Sequence, residues 1–416
     1  MSFGSYFRFA HANRRLIGFG FLMAFASSFG QTYFIGIFGP SIQAEFGLSH
    51  TVWGSIYMVG TLASALLLPW AGKQIDRLDL RLYTLLVGLF LTFACFFVAS
   101  TLGPLMLVLA IFFLRQSGQG LTSHTSVTTM ARYFDLGRGR AIAIAVLGFS
   151  FGEAVLPIIA VLAITELGWR WAYGGSGILV LLILLPLALW LLKGHGERHT
   201  RHVADRAATA ASGKPGVASW TRGQVLRDRR FWFLMPGLFA PSLILTAMFF
   251  HHLNVALEKG WSAEWITGNY VVYAAATVVT SLVTGSLIDR LGAMRLIPYM
   301  LAPLAVGLVI MAWGESPFWV WPYFIFIGIN TGIAHTAVSA MWAELYGTDH
   351  IGAIKSLAAS LGVFASALGP VIMGSLMDHG LSTSQVCLVF TVWTLAGMGT
   401  MTLALRNSTP NGARPE

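Results

Sequence analysis

The sequence predicts an all-α membrane protein of twelve transmembrane helices arranged as two pseudosymmetric six-helix bundles. Three observations lead there. The chain is 56% hydrophobic and only 10% charged over 416 residues, whereas an ordinary soluble domain carries roughly 25% charge. Twelve apolar runs of membrane-crossing length can be placed, near 16–38, 52–70, 81–100, 104–130, 140–164, 171–192, 231–257, 264–287, 295–313, 317–342, 351–377 and 383–405. Finally, a polar turn repeats. Gly-Ser-Leu-Ile-Asp-Arg-Leu-Gly-Ala-Met-Arg at 285–295 has a degenerate copy, Gly-Lys-Gln-Ile-Asp-Arg-Leu-Asp-Leu-Arg, at 72–81. An offset of 213 carries Asp76 onto Asp289, Arg77 onto Arg290, Gly139 onto Gly352 and Pro157 onto Pro370. Such internal symmetry between apolar runs marks a duplicated membrane protein. The expected domains are an N-terminal bundle over 1–192, a linker over 193–230 and a C-terminal bundle over 231–416.

Charge predicts the orientation. All Lys and Arg except Arg115, Arg170 and Lys259, that is 23 of 26, fall in segments that share one side if both termini do. The positive-inside rule makes that side the cytoplasm. The net charge of +9 is this bias, spread over seven segments, and needs no nucleic-acid partner. The first run is too long for a cleaved signal peptide and reads as the first span. Expected surroundings are the plasma membrane (the inner membrane in a bacterium), with the lipid bilayer as partner and a monomer as the working form.

Taken in order, the first span carries Ser27, Ser28, Gln31, Thr32 and Tyr33 amid apolar residues. Gln31 lies close to the middle, where a polar side chain must face protein or water. Solute contact and an interhelical hydrogen bond are both open for it. In the fourth span, Arg115 shares a helical face with Gln119 and Ser123. An arginine at mid-membrane costs at least ~3 kcal/mol unless paired or hydrated. It is also a bidentate partner for a carboxylate. The fifth span contains Gly148-x-x-x-Gly152-Glu153-x-x-x-Pro157, and small-x-x-x-small spacing permits close helix approach. Glu153 is the one acid deep in any span. Arg115 lies eleven residues past Pro104 and Glu153 thirteen past Arg140, so both sit near the midplane at about 1.5 Å per residue. They are expected to form a functional charge pair, the solute anion taking Arg115 and a proton taking Glu153. A fixed bridge locking the two spans is the alternative.

The linker has His195, His199 and His202 at helical spacing. Metal is conceivable there, but a solvated loop is the preferred reading, and neither metal nor cofactor is expected. Trp220 to Arg230 reads as an interfacial segment feeding the seventh span. The seventh span ends in Phe-Phe-His-His-Leu-Asn at 249–254. Asn269 and Tyr273 are polar positions of the eighth span. Asn330 and His335 belong to the tenth, His335 nearly repeating His124. Gln31, Tyr33, Arg115, Gln119, Asn269, Tyr273 and Asn330 are the expected solute-binding residues. Cys95 and Cys387 fall inside spans of opposite halves and imply no disulfide framework.

The repeated turn resembles the loop signature of the major facilitator superfamily, G-x-x-x-D-R-x-G-x-x-R. The second copy fits it; the first has Asp79 in place of the second glycine, so its turn needs another way to close. Arg115-Gln-Ser-Gly-Gln-Gly120 loosely resembles a superfamily pattern of the fourth span. The loop Arg132-Tyr-Phe-Asp-Leu-Gly-Arg-Gly-Arg140 is similar to that of monocarboxylate-type facilitators, whereas the antiporter Gly-Pro is Gly152-Glu153 here. The resemblance implies that Asp76 meets the start of span eleven near Gly352 and Asp289 the start of span five near Gly139. Arg77, Arg81, Arg138, Arg140, Arg290 and Arg295 complete an ionic gate in that picture.

A secondary-active, proton-coupled symporter of a small organic anion, working by alternating access, is the function these features imply. Export of amphipathic drug-like compounds is the second expectation. A membrane enzyme would need ionisable groups converging near one surface; the short outer loops scatter theirs. A receptor built on this fold would be expected to add a soluble domain. No Gly-x-x-x-x-Gly-Lys loop for ATP occurs, which leaves an ion gradient as the driving force.

Overall fold

The computed structural model describes residues 3–134, 137–194, 196, 220–347 and 350–406. Among these the chain is helical, with no strand. Eleven helices are long and apolar enough to cross a membrane, and a bent pair supplies a twelfth. In chain order they are α1 (Arg14–Ile37, continued by Gly39–Phe46 after a 61° bend), α2 (His50–Asp76), α3 (Leu80–Ala99), α4 (Pro104–Tyr133), α5 (Gly139–Leu167) and α6 (Trp169–Leu191). The second half repeats the set as α7 (Arg229–Glu258), α8 (Ala263–Ile288), α9 (Ala293–Trp313), α10 (Pro317–Tyr346), α11 (Ile354–Asp378) and α12 (Thr383–Leu405). The offset of 213 holds at element level: α3 and α9 start at Leu80 and Ala293, and both ends of α4 map onto those of α10.

The contact pattern repeats too. In the first half α1 packs on α5 and α3 on α6; in the second, α7 packs on α11 and α9 on α12. Each half has its own core, centred in the first on Phe19, Met130, Ala141 and Leu192. Leu66, Leu182, Val283 and Leu403 are exposed, as expected of faces that meet lipid tails. Trp70, Trp171, Trp313 and Trp319, near helix ends, are exposed as well, at the level where amphipathic rings favour headgroups.

The chain divides into a unit of Met1–Ile42 with Val59–Lys214 and a unit of Gln43–Met58 with Pro215–Glu416. Of the expected 1–192 bundle, the segment 43–58 is grouped with the second unit. The cause is local: Trp53 stacks on Phe250 at 5.2 Å, and the Asp378 carboxylate accepts from the backbone N–H of His50 and Thr51 at 3.1 and 2.7 Å. The linker histidines His195, His199 and His202 lie outside the described residues. Within 220–230, Thr221 and Gln224 form a capping box for a short helix, Arg222–Arg227. Tyr346 then donates to Asp228, which also pairs with Arg230.

The two copies of the repeated turn close differently. Asp79 caps α3 itself, accepting from the N–H of Arg81 at 2.9 Å and Leu82 at 3.3 Å. Gly292, its counterpart, has φ +81°, which suits glycine, and brings no cap. Glu344 of α10 supplies it, accepting from Ala293 N–H at 2.8 Å and Met294 N–H at 3.0 Å. The first-half turn thus closes with a side-chain cap where the second uses a positive-φ glycine.

Candidate functional site

The site in the first unit starts from a break in α1. Ser27, Ser28 and Gly30 are weak helix formers, and Ser27 Oγ donates back to Ala24 O at 2.7 Å, a bond that bends helices. The backbone tightens to a 3-10 turn over Ser27–Gly30, becomes extended at Gln31 (φ −82°, ψ 152°) and resumes as helix at Thr32. Such a break frees main-chain carbonyls at membrane depth, where they must find donors.

The donor comes from α4. Residues Arg115–Thr122 form a π-helical segment, a local widening that often marks functional positions. Thr122 Oγ1 donates to Ser117 O at 2.7 Å, satisfying a carbonyl there. Gly30 and Gly118 let the backbones touch: a Cβ on Gly118 would lie 2.7 Å from Gly30 Cα. Arg115, 1% exposed, then reaches the break, its Nη1 donating to Gly30 O at 3.4 Å and Thr32 Oγ1 at 3.3 Å. Beside it, Gln116 accepts from Ser64 Oγ of α2 at 3.0 Å.

On the other side of α1 lies α5. Ser28 Oγ abuts Gly152, and a Cβ on Gly148 would fall 2.2 Å from Phe21 O, so the Gly-x-x-x-Gly motif is a backbone-contact face. Glu153, part-buried, follows directly. The expected Arg115–Glu153 pair does not form in this conformation: among the described residues Glu153 makes no ion pair. Arg115 is instead engaged at the α1 break, which touches α4 through Gly30 and α5 through Ser28.

The other expected residues divide. Gln31 and Gln119 are part-buried at the same break, Gln31 Nε2 reaching Ser27 Oγ at 3.5 Å. Tyr33 is buried beside Gly152. In the second unit, Asn269 is absorbed by the helix wall: it donates to Trp265 O at 2.7 Å and accepts from Trp321 Nε1 at 2.6 Å. Asn330 is fully buried and donates to Met300 O at 2.7 Å, tying α10 to the start of α9. Tyr273 donates to Thr331 Oγ1 at 3.1 Å. The bonds given for these three stay within their own half.

Of the expected gate, Asp76 pairs inside its own half with Arg132 at the end of α4, and Arg132 also donates to Ile75 O at 3.1 Å. Arg77, Arg81, Arg290 and Arg295 are exposed, and Arg140 lies over the Phe9 ring at 4.6 Å. The side chains of Arg138 and Asp289 are outside the described set. Cys95 and Cys387 are buried free thiols. Sequence reasoning missed Gly30 and Thr32 as partners of Arg115, although a glycine between polar residues in mid-span was their signal. It also missed His252, fully buried between Tyr270 and Tyr323 hydroxyls at 2.8 and 2.9 Å.

Comparison with known proteins agrees with this architecture. The chain is 26% identical over 384 residues to the gallate transporter of Pseudomonas putida, covering 83% of this chain and 82% of that one. It is 22% identical over 354 residues to the fosmidomycin resistance protein of Escherichia coli, with 84% and 83% covered. Among solved structures it resembles a bacterial homolog of the human lysosomal transporter Spinster at TM-score 0.71 and 14% identity, covering 98% of this chain and 99% of that one. The nucleoside transporter NupG matches at TM-score 0.69 and 13% identity, with 95% and 99% covered. The pattern of the Major Facilitator Superfamily matches residues 20–370, and the chain is a multi-pass transport protein belonging to that superfamily.

Proposed function

We propose that the chain is a proton-coupled symporter of a small organic anion, with Arg115 as the anion's partner and Glu153 as the proton's. The observation that carries this reading is the sealed guanidinium at the α1 break. Two of its acceptors, Gly30 O and Thr32 Oγ1, are neutral and stand at 3.4 and 3.3 Å, whereas charge-assisted contacts to a carboxylate close to about 2.7–2.9 Å and are roughly twice as strong. A solute carboxylate therefore displaces Gly30 O and Thr32 Oγ1 once α1 yields. The relative named for gallate, an aromatic carboxylate, supports an anionic solute. Gln31, Tyr33 and Gln119 surround the same break and would orient the rest of the solute. The basic loops support cytoplasmic termini by the positive-inside rule, in a plasma membrane, and a monomer suffices for the mechanism.

The relative named for fosmidomycin resistance favours a second reading, export of a drug-like compound. Uptake into proteoliposomes under an imposed pH gradient separates the two. Organic carboxylates, gallate included, should accumulate with wild type. Arg115→Gln should abolish uptake, and Arg115→Lys, which keeps charge but not the planar fork, should raise KM roughly tenfold or more. Uptake of no carboxylate, or full uptake by Arg115→Gln, would overturn the anion reading.

A further inference from the structure

A polar cluster in the second unit is used by nothing above. It joins Gln43 and His50, in the segment 43–58, to His251 and Asn254 of α7. His251 is fully buried, and Gln43 and Asn254 are each 8% exposed. The bonds fix the proton positions. His251 Nε2 lies 3.0 Å from Pro370 O; a carbonyl only accepts, so Nε2 carries the hydrogen and Nδ1 is the acceptor. Asn254 Nδ2 donates to that Nδ1 at 3.2 Å and to Gln43 Oε1 at 3.2 Å. His50 Nδ1 faces Gln43 Nε2 at 3.0 Å and Asn254 Nδ2 at 3.4 Å. Both neighbours of His50 Nδ1 are amide donors, so that nitrogen must be a bare lone pair.

We propose that His50 is a proton-binding site that controls the docking of the α2 start on α7 and α11: with Nδ1 bare the clasp is closed, and a proton there opens it. A hydrogen on Nδ1 would meet two N–H donors and could bond neither. His50 is part-exposed, so the proton arrives from water at the end of the helices opposite the basic loops. The segment is otherwise tightly seated. Gly374 of α11 lets His50 O approach, a Cβ there lying 2.4 Å from it, and Gly54 lies against the Pro370 carbonyl.

The other charges nearby are engaged. The Asp378 carboxylate of α11 is taken up by the backbone N–H groups of His50 and Thr51. His379 bonds Ser375 O, and His252 is held by its two tyrosines. On α7, Glu258 caps α12 at Thr383 and Lys259 donates to Gly314 O. Glu45, on the α1 end, is exposed and has an interaction of its own. The sign follows: the closed clasp binds one proton fewer than the open one, so closure is favoured as pH rises and lost as pH falls.

Hydrogen exchange of the full-length protein in nanodiscs tests this, following peptides over 43–58 at about pH 5.5 and about pH 7.5, which bracket the range where imidazoles change charge. After correction for intrinsic rates, wild type should exchange roughly threefold or more faster at the lower pH. His50→Asn places a non-ionising oxygen where Nδ1 stands and should flatten the dependence. Asn254→Asp faces His50 with a carboxylate, which a protonated ring can bond, and should reverse it. A flat wild type, or an unchanged dependence in both variants, would overturn the proposal. The readout is independent of solute, so it stands apart from the anion reading.

Discussion

Arg115 illustrates what single residues disclosed. A guanidinium at mid-span had to be satisfied by something, and its importance was plain from depth alone. Its partners were not, because Gly30 contributes a carbonyl that only the backbone conformation sets free, and side-chain lettering carries no record of that. Glycines of the α1–α5 contact were legible as a spacing, but their unequal weight was not. At Gly148 the obstacle to a Cβ is a backbone oxygen, Phe21 O at 2.2 Å; at Gly152 it is chiefly Ser28 Oγ, which can rotate; at Gly285 nothing lies within 4 Å. Gly148→Ala should therefore cost about 1–3 kcal/mol, Gly152→Ala less, and Gly285→Ala nothing, since alanine is the better helix former. Thermal unfolding of the three variants in detergent should give melting temperatures in that order. A Gly148→Ala protein as stable as Gly285→Ala would contradict the backbone contact.

At the scale of elements, apolar periodicity and length identified all twelve crossings, because the bilayer leaves helices little freedom in either. Interruptions inside helices were hidden. The α1 break and the π segment of α4 depend on each other through Gly30 and Gly118, and a pairwise contact does not appear in the hydropathy of either strip. The repeated turn was visible, yet its two closures were not, since one cap comes from a distant helix. Subtracting 213 from Glu344 lands on Ala131, so the first half has no equivalent acid and relies on Asp79. Asp79→Gly should thus destabilise by about 1 kcal/mol, the usual worth of an N-cap. Adding Ala131→Glu should restore much of it by moving the second-half arrangement into the first. Melting temperatures of the single and double variants decide; a double variant no more stable than Asp79→Gly would mean that the two turns are not interchangeable.

For the whole molecule, duplication and charge bias were legible because both are written over hundreds of residues, whereas the proposed coupling rests on one acid. Glu153 makes no ion pair among the described residues, and Arg115 is held by Gly30 O and Thr32 Oγ1. The fixed bridge and the coupling role then differ in a testable way. A bridge would make Glu153→Gln strand a buried charge, at a cost of about 3–5 kcal/mol, and the protein would fold poorly. In the observed geometry the substitution removes a lone carboxylate and leaves Arg115 with its partners, so the variant should fold with a melting temperature near that of wild type. A carrier that moves a proton on Glu153 together with the anion on Arg115 would then lose only the energetic link. Glu153→Gln should exchange labelled solute across the proteoliposome membrane at a comparable rate and fail to accumulate it under an imposed pH gradient. Accumulation at the wild-type level would remove Glu153 from the mechanism, and loss of both exchange and accumulation in a folded variant would make it part of solute binding instead.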